Sequence, residues 1–100
     1  MIQDKTIKTV LVIGRHTDML EKVKGLLANN GYNAVGATTD HDAVRLFKSN
    51  NIDAVIIGGG VENDSRVYFR TEFSRLKPLI KIIDAHPQTV LSELGEVFGG

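Results

Sequence analysis

The chain contains no cysteine, which excludes a disulfide framework, a thiolate zinc site and a cysteine nucleophile together. It has no surplus of either charge: 12 Lys and Arg stand against 12 Asp and Glu, a formal net charge of zero. Nucleic-acid binding usually leaves a basic surplus, so this balance argues against such a partner. No apolar run approaches the roughly 20 residues that span a bilayer. The opening "MIQDKTIKTV" carries Asp4 and lacks the long apolar region and small-residue cleavage site of a secretory signal. A cytoplasmic protein without a membrane partner is the expectation. Internal repeats, low-complexity tracts and flexible linkers are also missing, and 100 residues is the size of one domain.

What is present is an ordinary globular composition, 42% hydrophobic and 24% charged, able to bury a core without disulfide or metal. "TVLVIG" (Thr9–Gly14) is β-branched and apolar without alternation, the pattern of a central parallel strand covered on both faces. "TDMLEKVKGLLANNG" spaces Met19, Leu20, Val23, Leu26 and Leu27 as one helical stripe. Asp18 and Glu21 are placed as a capping box, with Asn30-Gly31 as the stop. "YNAVGAT" (Tyr32–Thr38) predicts a strand near a sheet edge. "TDHDAVRLFKSNN" predicts a second helix, capped by Thr39 or Asp40, with Ala43, Val44 and Phe47 facing inward.

Ile52–Ile57 predicts another buried strand, ending in Gly58-Gly59-Gly60. "VENDSRVYFRTEFSRLK" then predicts a helix with cap candidates Asn63, Asp64 and Ser65, and with Phe69, Phe73 and Leu76 on one face. Pro78 ends it. Leu79–Ile83 predicts a fourth strand, and "PQTVLSELGEVF" a short amphipathic helix through Val90, Leu91, Leu94, Val97 and Phe98. Strand and helix alternate four times over short connections, which predicts an α/β sandwich with a parallel sheet and right-handed crossovers.

Over nearly its whole length the chain resembles the receiver domain of two-component response regulators. "KTVLVIG" with its following helix is similar to the opening of that family. "NNGYNAVGATTDHDAVRLFKSNNIDAVII" resembles the stretch that leads to the phosphoacceptor, and "PLIKIIDAH" the fourth strand, which in the family usually ends in Thr or Ser followed by Ala. The resemblance implies a flavodoxin-like three-layer sandwich of about four parallel strands in order 2-1-3-4. It also implies a site in which two acidic residues hold Mg²⁺, an Asp ending the third strand accepts a phosphoryl group, a hydroxyl ends the fourth strand and a Lys ends the fifth. Metal and Lys there neutralise charge on the phosphoryl oxygens.

Every one of those positions departs from the pattern. Gly14 and Arg15 occupy the two acidic places, Gly58 stands where the acceptor belongs, and Asp84 replaces the hydroxyl. The expectation is that residues 1–100 form a single receiver-like domain lacking the family's fifth strand, its Lys and its helix. The resemblance thus implies the fold while removing the chemistry. The expectation is a pseudo-receiver with no catalytic residue, metal or cofactor, acting through a protein partner in signalling.

Two features keep a structural and a functional reading side by side. Gly58-Gly59-Gly60 makes an adaptable turn or offers N–H groups to an anion, although neither a P-loop nor a dinucleotide fingerprint is present. Arg15 pairs with a nearby carboxylate such as Asp84 or, with the glycines, holds a small anion or nucleotide. The salt bridge is the favoured reading. His16, His41 and His86 follow strands but on strands too far apart for one ion, so no metal site is expected. Arg66, Arg70, Arg75 and Lys77 interleave with Glu62, Asp64 and Glu72 as a solvated, salt-bridged face. An Asp-x-His-x-x-Gly cobalamin loop and a phosphotransferase cysteine are absent. With no fifth strand the fourth becomes an edge, and edges are usually paired or covered. Shielding of Leu79–Ile83 by the final helix or by a second copy, and hence a homodimer, is expected.

Overall fold

The computed structural model describes residues 7–84 and 89–98. The two continuous apolar runs become β1 (Thr9–Ile13) and β3 (Ala54–Ile57), buried along nearly their whole length. The more mixed β2 (Asn33–Ala37) and β4 (Lys81–Asp84) are only partly covered. Their order is β2-β1-β3-β4, with every neighbouring pair parallel. Runs that are apolar on both faces thus take the centre and mixed ones take the edges, as a sheet with two covered faces requires. This is the expected flavodoxin-like sandwich in order 2-1-3-4.

Among the described residues four helices cover the sheet: α1 (Thr17–Asn29), α2 (Asp40–Ser49), α3 (Asn63–Leu76) and α4 (Val90–Val97). Side-chain alternation along β1 sends Val10 and Val12 to one face and Leu11 and Ile13 to the other. The first face packs on Leu20, Val23 and Leu27 of α1 and on Val90 and Leu94 of α4. The second packs on Phe47 of α2 and on Phe69 and Phe73 of α3. Strands about 4.8 Å apart and helices about 10 Å across mean that two helices suffice for four strands. The final helix therefore joins α1 on one face, with Ile83 of β4 in its core. The edge of β4 itself stays unpaired among the described residues, but it is only four residues long with Lys81 and Asp84 exposed at its ends, features that blunt an edge.

Several local expectations shift. Helix α1 starts from His16 without a side-chain cap, so Asp18 and Glu21 form no capping box. Helix α3 starts from Glu62, again without a side-chain cap, and Ser65 lies inside its first turn. Thr39 does cap α2, accepting from the N–H of Asp42 at 3.1 Å. Met19 and Leu76 flank their helical stripes and are exposed. Leu79 precedes β4 and is 87% exposed, so the fourth strand begins at Lys81. No helix among the described residues is long and apolar enough to cross a membrane.

Two close approaches fix the sheet. The Thr9 N–H donates to Asp53 Oδ2 and the Asp53 N–H donates to Thr9 O, both at 2.8 Å. That reciprocal pair sets the register of β3 on β1. On β2, a Cβ at Gly36 would lie 2.9 Å from Lys24 Cδ and 3.0 Å from Leu20 Cδ1. α1 therefore sits directly on the glycine backbone. Gly36→Val is expected to lower the unfolding free energy by about 1–3 kcal/mol through overpacking, read as a shifted urea midpoint. An unchanged midpoint would show that α1 yields freely there.

Candidate functional site

At their carboxyl ends the strands finish level, with Ile13 beside Ala37 and Ile57, and Ile57 beside Asp84. The ladder runs one step further: the Gly58 N–H donates to Ile13 O at 2.8 Å and the Gly14 N–H to Ala37 O at 3.1 Å. A Cβ on Gly58 would stand 3.2 Å from Ile13 O and 3.7 Å from Gly14 Cα. Gly58 has no left-handed backbone; among the described glycines only Gly31 does, at φ 88°. Close packing against β1, not chain conformation, favours glycine at this point.

Arg15 turns from this edge toward α2 and α3. Its Nε donates to Glu62 Oε1 at 2.9 Å, Nη1 to Thr38 O at 2.8 Å, and Nη2 to Asp40 Oδ1 at 2.5 Å and Ser65 Oγ at 3.0 Å. The Ser65 hydroxyl in turn donates to Asp40 Oδ2 at 2.8 Å. Burial works against the Arg15 charge, but the bonds and charges of Asp40 and Glu62 outweigh it and raise its pKa. Burial likewise acts to raise Asp40, and the bonds from Arg15 and Ser65 with the Arg15 charge overcome it, holding the carboxyl below its ordinary value. Asp40 also opens α2, where the helix dipole favours an anion.

The favoured salt bridge at Arg15 therefore exists, but with Asp40 and Glu62 in place of Asp84. Asp84 is gripped instead by α3: Arg66 Nη1 donates to Oδ1 and Arg70 Nη2 to Oδ2, each at 2.7 Å. Arg66 further donates through Nη2 to Gly58 O at 2.6 Å and through Nε to Val61 O at 3.0 Å. One guanidinium thus ties the end of β3 at Gly58 to the end of β4 at Asp84. The face expected to be merely solvated holds the edge together. A signal for it was the i, i+4 spacing of Arg66 and Arg70, which puts two cations side by side. Ser65 has the sequence signature of a cap candidate, and nothing in its neighbours marks it as a partner of Asp40.

The alternative reading places Arg15 and Gly58-Gly59-Gly60 around one small anion. The Nε, Nη1 and Nη2 of Arg15 all donate to protein acceptors, whereas Gly58, Gly59 and Gly60 line a cavity together with His16. Arg15 and the glycine loop do not share a site. The residues present also do not fit Mg²⁺, which needs oxygen ligands in number. Gly14 and Gly58 bring no side-chain oxygen, and both Asp84 oxygens accept from arginines. Among the described residues no three His, Cys, Asp or Glu side chains cluster as metal ligands. His41 is exposed beside Asp42 at 3.8 Å, and His86 lies outside the described residues.

The cavity has a volume of about 380 Å³ and opens where the carboxyl ends of β1 and β3 meet the first turns of α1 and α4. β1 connects toward one side of the sheet and β3 toward the other, so this is the crevice where strand order reverses and α/β sheets place ligands.

No protein-family model and no curated protein matches the chain. Solved structures do. A CheY-like response regulator receiver domain protein from Methanospirillum hungatei superposes with a TM-score of 0.78 at 13% identity, over 94% of this chain and 95% of that one. A response regulator from Thermotoga maritima gives 0.66 at 16% identity, over 95% of this chain and all of that one (100%). A CheY-like receiver domain from Methylobacillus flagellatus gives 0.61 at 20% identity, over 68% and 58%. The level strand ends, the 2-1-3-4 order and these superpositions agree: the chain has the fold of a CheY-like response regulator receiver domain.

Proposed function

We propose that the chain is a receiver-like module of signal transduction that acts by protein contact and carries no phosphoryl group on an aspartate. The observation that carries this reading is Gly58. The end of β3 offers bare backbone, and its carbonyl is already taken by Arg66 at 2.6 Å. The fold of solved receiver domains supports the signalling context. The grip of Arg66 and Arg70 on Asp84 supports an edge held in one arrangement. On this reading the chain is not an enzyme and works in the cytoplasm.

Incubation with acetyl phosphate and Mg²⁺, followed by intact-mass measurement, is expected to show no added phosphoryl group. A stable, Mg²⁺-dependent gain of one group would overturn the reading. Gly58→Asp is expected to stay unmodified as well, since its Cβ is crowded by Ile13 O and no metal ligands accompany it. The proposed contact includes a second copy, across the β4 edge and the exposed Leu79 beside it. Light scattering at micromolar concentration is expected to give a dimer, and a strict monomer removes that part.

A further inference from the structure

The cavity at the strand crossover is lined by Gly14 and Gly58, but its other walls are unlike those of a phosphate site. Leu20 and Val23 of α1, Ile56 of β3 and Val90 of α4 are all buried residues lining it. Met19, 47% exposed, borders its opening. His16 stands over the glycine loop, its ring 3.5 Å from where a Cβ on Gly60 would be. By the scale on which an apolar cavity of about 150 Å³ holds benzene, 380 Å³ accommodates about fifteen non-hydrogen atoms.

The polar groups around it include backbone donors. Helix α1 has no side-chain cap, so the N–H groups of Asp18 and Met19 belong to the orphans of a first helical turn. Within the described residues no hydrogen bond engages them, nor the N–H groups of Gly59 and Gly60. An anion is disfavoured here: Asp18 shares the lining, and the guanidinium groups of Arg15 and Arg66 are turned to protein acceptors. A cation is disfavoured too, because the uncapped helix start presents the positive end of its dipole.

We infer that this cavity binds a compact, neutral, largely apolar ring compound carrying a hydrogen-bond acceptor such as a carbonyl, which meets the N–H groups of the glycine loop and the α1 start. The inference rests on the cavity and not on the signalling reading, so either can fail alone. The probe is 2-acetonaphthone, a neutral aryl ketone, set against 2-naphthoate, which has the same ring and a negative charge, and against inorganic phosphate. Binding is followed by amide NMR shifts in the full chain. The ketone is expected to shift Met19, Gly59 and Gly60 saturably, with naphthoate at least about tenfold weaker and phosphate without effect.

Met19→Trp, at an exposed position, is expected to block the opening and weaken the ketone by about tenfold or more while the unfolding midpoint stays near that of the parent chain. Absence of ketone shifts up to its solubility overturns the proposal. So does naphthoate binding as tightly as the ketone, or ketone binding undiminished in a folded Met19→Trp chain. A loss of fold in that variant is met by Met19→Phe, held to the same outcomes.

Discussion

Replacing Phe73 with alanine is expected to lower the free energy of unfolding by about 3–5 kcal/mol. Phe73 is fully buried and lies at the centre of a stack, with Phe47 at 4.2 Å and Phe69 at 5.4 Å between ring centroids. Its removal takes away burial, leaves a cavity that two rigid rings cannot collapse into, and forfeits ring–ring contact worth about 0.5–1.5 kcal/mol per pair. A domain of this size is stable by only about 5–15 kcal/mol, so the variant is expected to lose a large share of that margin. Urea denaturation followed by far-UV circular dichroism measures the change. Leu76→Ala, one turn further along α3 and 38% exposed, is the comparison and is expected to cost under about 1 kcal/mol. Equal losses at both positions would show that the aromatic stack does not carry the α2–α3 face.

The second large effect is expected at Arg15. Arg15→Met keeps the aliphatic length but removes four donated hydrogen bonds. The bonds to Thr38, Asp40 and Ser65 are partly buried and cost the most, while that to the exposed Glu62 contributes little. A loss of about 2 kcal/mol at neutral pH follows from charged hydrogen bonds of this kind. The pH dependence has a definite sign. Asp40 is held below its ordinary value in the folded chain, so its contribution is present above about pH 4 and is lost as pH falls through the lower folded pKa. The parent chain is therefore expected to lose stability steeply below about pH 4, and Arg15→Met less steeply, so the two curves converge in acid. Added salt narrows the gap at neutral pH as well. Parallel curves down to pH 2 would remove Asp40 from the account.

The strands and helices were legible because their two periods differ: unbroken apolar runs marked β1 and β3, and the Phe69–Phe73 spacing marked the buried face of α3. Helix starts were less so. Thr39 caps α2 as expected, but α1 and α3 leave from His16 and Glu62, because the path of the preceding strand decides where a helix can begin. At the site, the residue types could be read directly, and Gly14, Gly58 and Asp84 do gather at one edge. Which carboxylate Arg15 would choose could not. Asp40, Glu62 and Asp84 are distant in sequence, and the choice depends on which side of the sheet the chain turns to after β1.

The Asp53–Thr9 pair also says something about when this site comes into existence. Its two residues are 44 positions apart, and the chain must close that loop before β3 can lie beside β1. Closure of this kind costs entropy that no local contact repays. The β1–α1–β2 unit can gather on its own, yet Gly14 meets Gly58, and Leu20 faces Ile56, only after the closure is complete. A molecule held in that crevice would therefore recognise the finished chain and no partly formed one, and would draw the folding equilibrium toward it in proportion to its own binding.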